Sequence, residues 1–144
     1  MTNQDKTVLV TGGSGFIATH CILKLASAGY KIKSTVRNLD RVSDLNKILD
    51  EAGSTYERLN KIDVDWVSAD LTKDEGWSEA VKGCDYVMHV ASPVALEEPK
   101  DENDLIVPAR EGTLRVIKAA NEEGVKKIVL TSSVAAIIYG HEKD

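Results

Sequence analysis

Short apolar runs alternate with helical patterns along the whole chain. Val8-Leu9-Val10 is the first run, and it leads into Gly12-Gly13-Ser14-Gly15. Phe16, Ile17, Cys21, Leu25 and Ala28 then recur at helical spacing, and Gly29 stands where a helix-ending glycine belongs. The pattern predicts a strand over 7–11 and a helix over 15–28. Ile32, Thr35 and Val36 make 31–37 a second strand. Val42, Leu45, Ile48 and Leu49 give 40–52 one apolar helical face. The polar stretch 54–61 reads as a loop, and 63–68 as a third strand. Thr72-Lys73-Asp74-Glu75 has the form of a capping box for a short helix presenting Trp77, Ala80 and Val81. Residues 84–91 form a nearly continuous apolar run, as a buried strand does. An acidic, proline-punctuated loop over 96–103 precedes a long helix marked by Leu105, Ile106, Ala109, Thr113, Val116, Ile117 and Ala120. Pro108 is expected to kink that helix or to sit in its first turn, and Gly112 to let it pack closely. Residues 126–133 are the fifth strand.

Five alternations of strand and helix predict a doubly wound α/β fold with a parallel sheet in the order 3-2-1-4-5. Ligands of such sheets bind beyond the carboxyl ends of the strands, where the order reverses between strands 1 and 4. That rim collects the glycine turn, Arg37, Asp70, Ala91-Ser92-Pro93 and Ser132-Ser133.

The glycine turn fits two frames. Residues 13–18 read G-x-G-x-x-A, and residues 12–18 read G-x-x-G-x-x-A. In both, glycines let the main chain approach a pyrophosphate, and the next helix aims unpaired N–H groups and its positive dipole end at the anion. The strand before and the helix after supply the context the motif requires. A glycine turn also occurs for packing alone.

Composition narrows the partners. The chain has 144 residues, enough for one domain spanning all of them, with 42% hydrophobic and 28% charged residues. A net charge of −5 argues against a nucleic-acid surface. Lys24, Lys31, Lys33 and Arg37 are the nearest approach to a basic cluster, and apart from Arg37 they read as a solvated rim. No apolar stretch is long enough to span a membrane, and the N-terminus lacks a signal peptide's apolar core, so the expected location is cytoplasmic. Cys21 and Cys84 read as reduced, buried thiols. His20, His89 and His141 show no metal-ligand spacing, so no metal is expected.

Arg37 bears on which dinucleotide binds. An acidic residue at the end of the second strand suits a ribose 2′-OH, whereas an Arg suits a 2′-phosphate. Arg37 lies 22 residues after Gly15, and its planar guanidinium grips phosphate bidentately. NADP(H) is therefore favoured over NAD(H). Asp40, three residues on, remains able to contact the ribose, and a charged strand end is common in any case.

A set of motifs then carries a resemblance over almost the whole chain. They are Thr11-Gly12-Gly13-Ser14-Gly15-Phe16-Ile17-Ala18, Thr35-Val36-Arg37-Asn38, Ala69-Asp70-Leu71, Gly83-Cys84-Asp85, His89-Val90-Ala91-Ser92-Pro93, Glu111-Gly112-Thr113 and Leu130-Thr131-Ser132-Ser133. The chain resembles the N-terminal half of the extended short-chain dehydrogenases/reductases, most closely the branch around dihydroflavonol reductase, cinnamoyl-CoA reductase and related aldehyde or ketone reductases. Gly12, Gly13, Ser14, Gly15, Phe16, Ile17 and Arg37 are expected to bind the NADP(H) cofactor, as read above from the turn and the strand end. The resemblance implies that Asp70 accepts from the adenine amino group and that Leu71 lines the adenine pocket. Val90, Ala91 and Ser92 would pass beneath ribose and pyrophosphate. Thr131 and Ser132 would flank the nicotinamide, and Ser133 would be the catalytic serine that holds a substrate carbonyl. The bland readings are a solvated acid at Asp70 and an ordinary strand end at Ser132-Ser133.

In this family a Tyr-x-x-x-Lys pair completes the site, the tyrosine as general acid while NADPH delivers hydride. Tyr139 and Lys143 match that spacing, but they follow Ser133 too closely and Gly140 and His141 interrupt any helix between them. The expectation is an NADP-dependent oxidoreductase of a small carbonyl or alcohol, of which this chain carries the cofactor part without the proton donor. Two alternatives stand beside it: a non-catalytic dinucleotide-binding or sensing module, and half of an NAD-dependent nucleotide-sugar epimerase or dehydratase. Strand 5 is then expected to be an exposed edge, inviting self-association.

Overall fold

Thr7–Val10 forms β1, and its side chains alternate between the two faces of the sheet. Leu9 joins one core layer and Val10 the other. A strand apolar on both faces belongs in the middle of a parallel sheet, and β1 is central. The computed structural model describes residues 3–57, 59–93, 99 and 101–140. β1 pairs in parallel with β2 (Lys31–Val36) on one side and β4 (Tyr86–His89) on the other. β3 (Val64–Ser68) lies outside β2, and β5 (Lys127–Leu130) outside β4. The order is β3-β2-β1-β4-β5, as the sequence predicts.

Two helical layers cover the sheet. α1 (Phe16–Ser27) and α2 (Val42–Ala52) pack Ile22, Leu23 and Leu49 against Val10 and Ile32. α3 (Trp77–Val81) and α4 (Asn103–Glu122) bury Trp77, Ala80, Val116 and Ala120 against Leu9 and Val87. Truncating any of the large side chains here to Ala costs about 2–5 kcal/mol. Gly29, with φ +83°, ends α1 as expected. Gly112 lets α4 approach β3's exit so closely that an added Cβ would stand 2.9 Å from Leu71 Cβ.

Several elements differ from the sequence reading. The capping box does not form: α3 starts after Gly76, which has φ +88° and offers no side-chain cap. Thr72 is engaged elsewhere, its N–H and hydroxyl both donating to Asp70 Oδ1 at 2.9 Å. Lys33 is not on a solvated rim but buried, its ammonium donating to Glu79 O and Lys82 O at 3.1 and 3.0 Å. A cation there complements the negative end of α3. β4 and β5 are shorter than predicted; at the end of β4 the N–H groups of Val90 and Ala91 turn to the Thr11 hydroxyl. Residues 53–57 continue from α2 as a wide helical turn rather than a polar loop. Pro108 lies inside α4, past its first turn. A short α5 (Ala135–Ile138) follows β5 and was not anticipated. The expected 96–103 loop falls largely outside the described residues, as do His141 and Lys143. Cys21 and Cys84 are free thiols. No described helix is long and apolar enough to cross a membrane.

At the opposite end from the rim, one carboxylate joins three strand starts. Asp85 accepts from Thr7 N at 3.1 Å, Lys6 Nζ at 3.1 Å and Lys126 Nζ at 2.6 Å. Lys126 above all, then the Thr7 N–H and Lys6, hold its carboxyl far below the usual carboxylate range. Because the folded value is depressed, the group stabilises the fold above the ordinary carboxylate pKa of about 3.9. That contribution fades as pH falls below this value toward the folded one. Thermal melts of the wild type are thus expected to drop on acidification below about pH 4. Asp85→Asn should lower the midpoint at pH 7 and flatten that drop; an unchanged acid slope would remove Asp85 from the account. Gly76→Ala should destabilise by at least about 2 kcal/mol in denaturant unfolding, because the new Cβ would overlap the Ser68 carbonyl in a left-handed conformation.

Candidate dinucleotide site

The site begins with how the chain leaves β1. Thr11 N donates to Met88 O, and the Thr11 hydroxyl lies 2.8 Å from His89 Nδ1. The same oxygen accepts from Val90 N and Ala91 N, each at 3.0 Å. With both lone pairs taken, the hydroxyl proton goes to Nδ1, so His89 is neutral and protonated at Nε2. Burial acts in the same direction and pushes its pKa down.

Gly12 then turns with φ +72°, its N–H donating to Thr35 Oγ1 at 3.0 Å. Gly13 N donates to Thr35 O, and Gly15 N to Gly12 O, both at 2.8 Å. A Cβ on Gly12 would lie 2.9 Å from Ala91 Cβ, so only glycine fits between the ends of β1 and β4. Gly13 is buried for a different reason: a Cβ there would overlap Ser34 Oγ and the Trp66 ring. Gly15 is the N-cap of α1 and supplies no side-chain cap. The first-turn N–H groups are left for an outside acceptor, and the dipole favours an anion.

A cleft of about 750 Å³ opens over this turn. Gly12, Ser14 and Gly15 form its floor, with Phe16 and Ile17 beside them on α1. Those two apolar side chains are 81% and 55% exposed, unusual for a helix start unless something covers them. Arg37 lines one end, Asp70 and Leu71 another wall, and Val90, Ala91 and Ser92 the side toward β4. Asp70 is held below the usual carboxylate range, first by the Thr72 N–H and further by its hydroxyl and by Arg37 and Lys73. Gly13, Thr131, Ser132 and Ser133 are not among the cleft's walls. The last three follow β5 with exposed side chains, and Ser133 Oγ accepts from Ala135 N at 3.2 Å. Tyr139 is 72% exposed just beyond α5.

A second hollow of about 360 Å³ adjoins the turn. Its lining includes Ser14, Arg37, Asn38 and Arg41. Arg41 was missed in the sequence because it lies beyond the strand end, in the stretch read as helix. The 3-10 turn Leu39–Arg41 brings it back beside Arg37, and Asn38 Oδ1 fixes that turn by accepting from Asp40 N at 2.8 Å. The four-residue spacing of two arginines was the available signal. Among the described residues this hollow is lined by two guanidinium groups and no carboxylate; Asp40 is not part of it. Thr35 and Trp77 stand out in the sequence only as a strand and a helix position, yet Thr35 holds the glycine turn and Trp77 bonds the carbonyl of Asp70.

The chain is similar in sequence and fold to known proteins. Dihydroflavonol 4-reductase of Hordeum vulgare is 40% identical over 138 residues, covering 95% of this chain and 37% of its own. Among solved structures, Gre2 of Candida albicans in complex with NADPH superposes with a TM-score of 0.74 at 27% identity, over 91% of this chain and 38% of its own. UDP-glucose 4-epimerase of Bifidobacterium longum, in complex with NAD+ and UDP, gives 0.68 at 26% identity over 90% and 38%. The chain thus spans well under half the length of these relatives. The sequence model of the 3-beta hydroxysteroid dehydrogenase/isomerase family matches residues 9–144. The chain belongs to that family, within the extended short-chain dehydrogenases/reductases.

Proposed function

We propose that these 144 residues are the NADP(H)-binding domain of a cytoplasmic reductase acting on a small ketone or aldehyde. The observation that carries the cofactor choice is the hollow beside the glycine turn, where Arg37 and Arg41 converge with Ser14 and Asn38. A 2′-phosphate is the group such a pair suits, since guanidinium binds phosphate bidentately and remains charged. The uncapped start of α1 and the glycines at 12 and 15 suit the pyrophosphate. Asp70 would accept from the adenine amino group above Leu71. Val90, Ala91 and Ser92 would pass beneath ribose and pyrophosphate. The bound cofactor supplies hydride. Thr131 and Ser132 would flank its nicotinamide, and Ser133 would hold the substrate carbonyl by donating its hydroxyl proton.

The epimerase-like reading accounts for the same cradle, and one neighbour is a structure with NAD+. The arginine pair weighs against it. A module that binds without turnover is separated by assaying NADPH consumption with a panel of ketones and aldehydes. We also propose self-association of two copies along β5, an edge strand with Val129 and Leu130 each 50% exposed and Val134 and Ile138 more so.

Arg37→Ala is expected to weaken NADPH binding by about ten- to a hundredfold, the effect of a charge-assisted bond of about 1.5–3 kcal/mol, with NADH nearly unchanged. Arg41→Ala should act in the same direction. Equal losses for both nucleotides in calorimetric titration would contradict a 2′-phosphate role. In sedimentation velocity the protein should show a concentration-dependent dimer that Val129→Lys abolishes; a monomer at all concentrations would refute the β5 contact.

A further inference from the structure

The turn that carries Asp70 and Leu71 is held from beneath by two helices. Lys73 N donates to Asp70 O at 3.0 Å and closes the turn. The Trp77 indole N–H then reaches both Asp70 O at 3.2 Å and Lys73 O at 3.1 Å. From α4, Arg115 Nη1 donates to Leu71 O at 3.0 Å while its Nε pairs with Asp74. Carbonyls 70, 71 and 73 are therefore fixed by side chains rather than left to water. Trp77 is 3% exposed, so its bonds are shielded. The Asp74 carboxylate is 85% exposed, so that ion pair contributes little by itself.

The same turn fixes the carboxylate above it. Thr72 occupies Asp70 Oδ1 through both its N–H and its hydroxyl. Among the described residues Oδ2 makes no hydrogen bond. Asp70 thus offers one acceptor whose direction is set by the turn's backbone, and the backbone by Trp77 and Arg115.

We propose that Trp77 and Arg115 are positioning residues for nucleobase recognition, holding the 70–73 turn so that Asp70 Oδ2 reads the exocyclic amino group of adenine. This rests on the reading of Asp70 given above. Hydrogen bonds fail steeply with distance and angle, so a turn released by a fraction of an ångström loses the reading before it loses the fold. Trp77→Phe keeps an aromatic ring in the core and removes only the N–H. Arg115→Met keeps much of the stem and removes the donors.

The test compares NADPH with its hypoxanthine analogue by calorimetric titration. The analogue replaces the 6-amino donor by an oxygen, which a carboxylate repels. The wild type should prefer NADPH by on the order of tenfold or more, the effect of one hydrogen bond to a charged group. Asp70→Ala should bring that ratio close to one. Trp77→Phe and Arg115→Met should each cut the ratio by roughly threefold or more, and Arg115→Lys, which retains a donor, should recover part of it. A purely structural role would instead lower the melting temperature and weaken both nucleotides alike, and that result overturns the proposal. If Trp77→Phe does not fold, the Arg115 pair gives the same decision. A wild type indifferent to the base, or an Asp70→Ala variant with an unchanged ratio, refutes the reading of Asp70 itself and the proposal with it.

Discussion

At the end of β1 the Thr11 hydroxyl takes the N–H groups of Val90 and Ala91, both at 3.0 Å, and gives its proton to His89 Nδ1 at 2.8 Å. Every hydrogen-bonding position of that oxygen is used, so the ends of β1 and β4 are joined at one buried atom. These are the strands between which the sheet's winding reverses, and the crevice at such a point is where ligands enter. Thr35 performs the matching task from β2, taking Gly12 N on its hydroxyl and Gly13 N on its carbonyl. The glycine turn is thereby suspended from both neighbouring strands. The bonds that shape it are main-chain N–H groups given to Thr35 and to Gly12 O, while Thr11 ties the strand end just before it to β4. The absence of a Cβ at Gly12 then lets Ala91 close in.

Charges of opposite sign stand at two places along this frame. The chain is acidic overall, with a net charge of −5. Even so, Arg37 and Arg41 line one small hollow beside the turn, while Asp70 stands on the wall of the larger cleft. The two ends are coupled, since Arg37 helps to keep the Asp70 carboxyl ionised. The two arginines favour an anion at that hollow, while the net negative charge discourages the nonspecific phosphate binding that a broadly basic surface invites.

The sheet order and the rim were legible in the sequence because they follow from alternation and from the glycine turn, which are local in the chain. So was the close packing at Gly112. What was not legible depends on contacts between distant segments. Lys33 looked solvated because nothing nearby in sequence announces the carbonyls of Glu79 and Lys82 that receive it. The capping box failed because Thr72 had a better partner two residues before it, in Asp70, and Gly76 adopted a left-handed turn. Arg41 escaped because a 3-10 turn, rather than the first turn of α2, sets its position. Gly13 adds a reason the motif does not state: a Cβ there would overlap Ser34 Oγ and the Trp66 ring.

The finished part of the rim and the open part differ in kind. From β1 through β4 each strand end is tied by buried or half-buried hydrogen bonds, and the cleft has walls from all four exits. Beyond β5, Thr131, Ser132 and Ser133 are exposed and lie outside those walls, and α5 presents apolar side chains to solvent. Groups that bind the phosphates and the base of a dinucleotide work as fixed donors and acceptors, and these residues already have that rigidity. Chemistry at a carbonyl demands more, because the reacting atoms must be held to within a fraction of an ångström and kept from water. An exposed Ser133 whose oxygen accepts from Ala135 N has the right rim position but not that enclosure. The fixed donors and acceptors of the rim stand at the exits of β1 to β4, while the side chains after β5 are exposed.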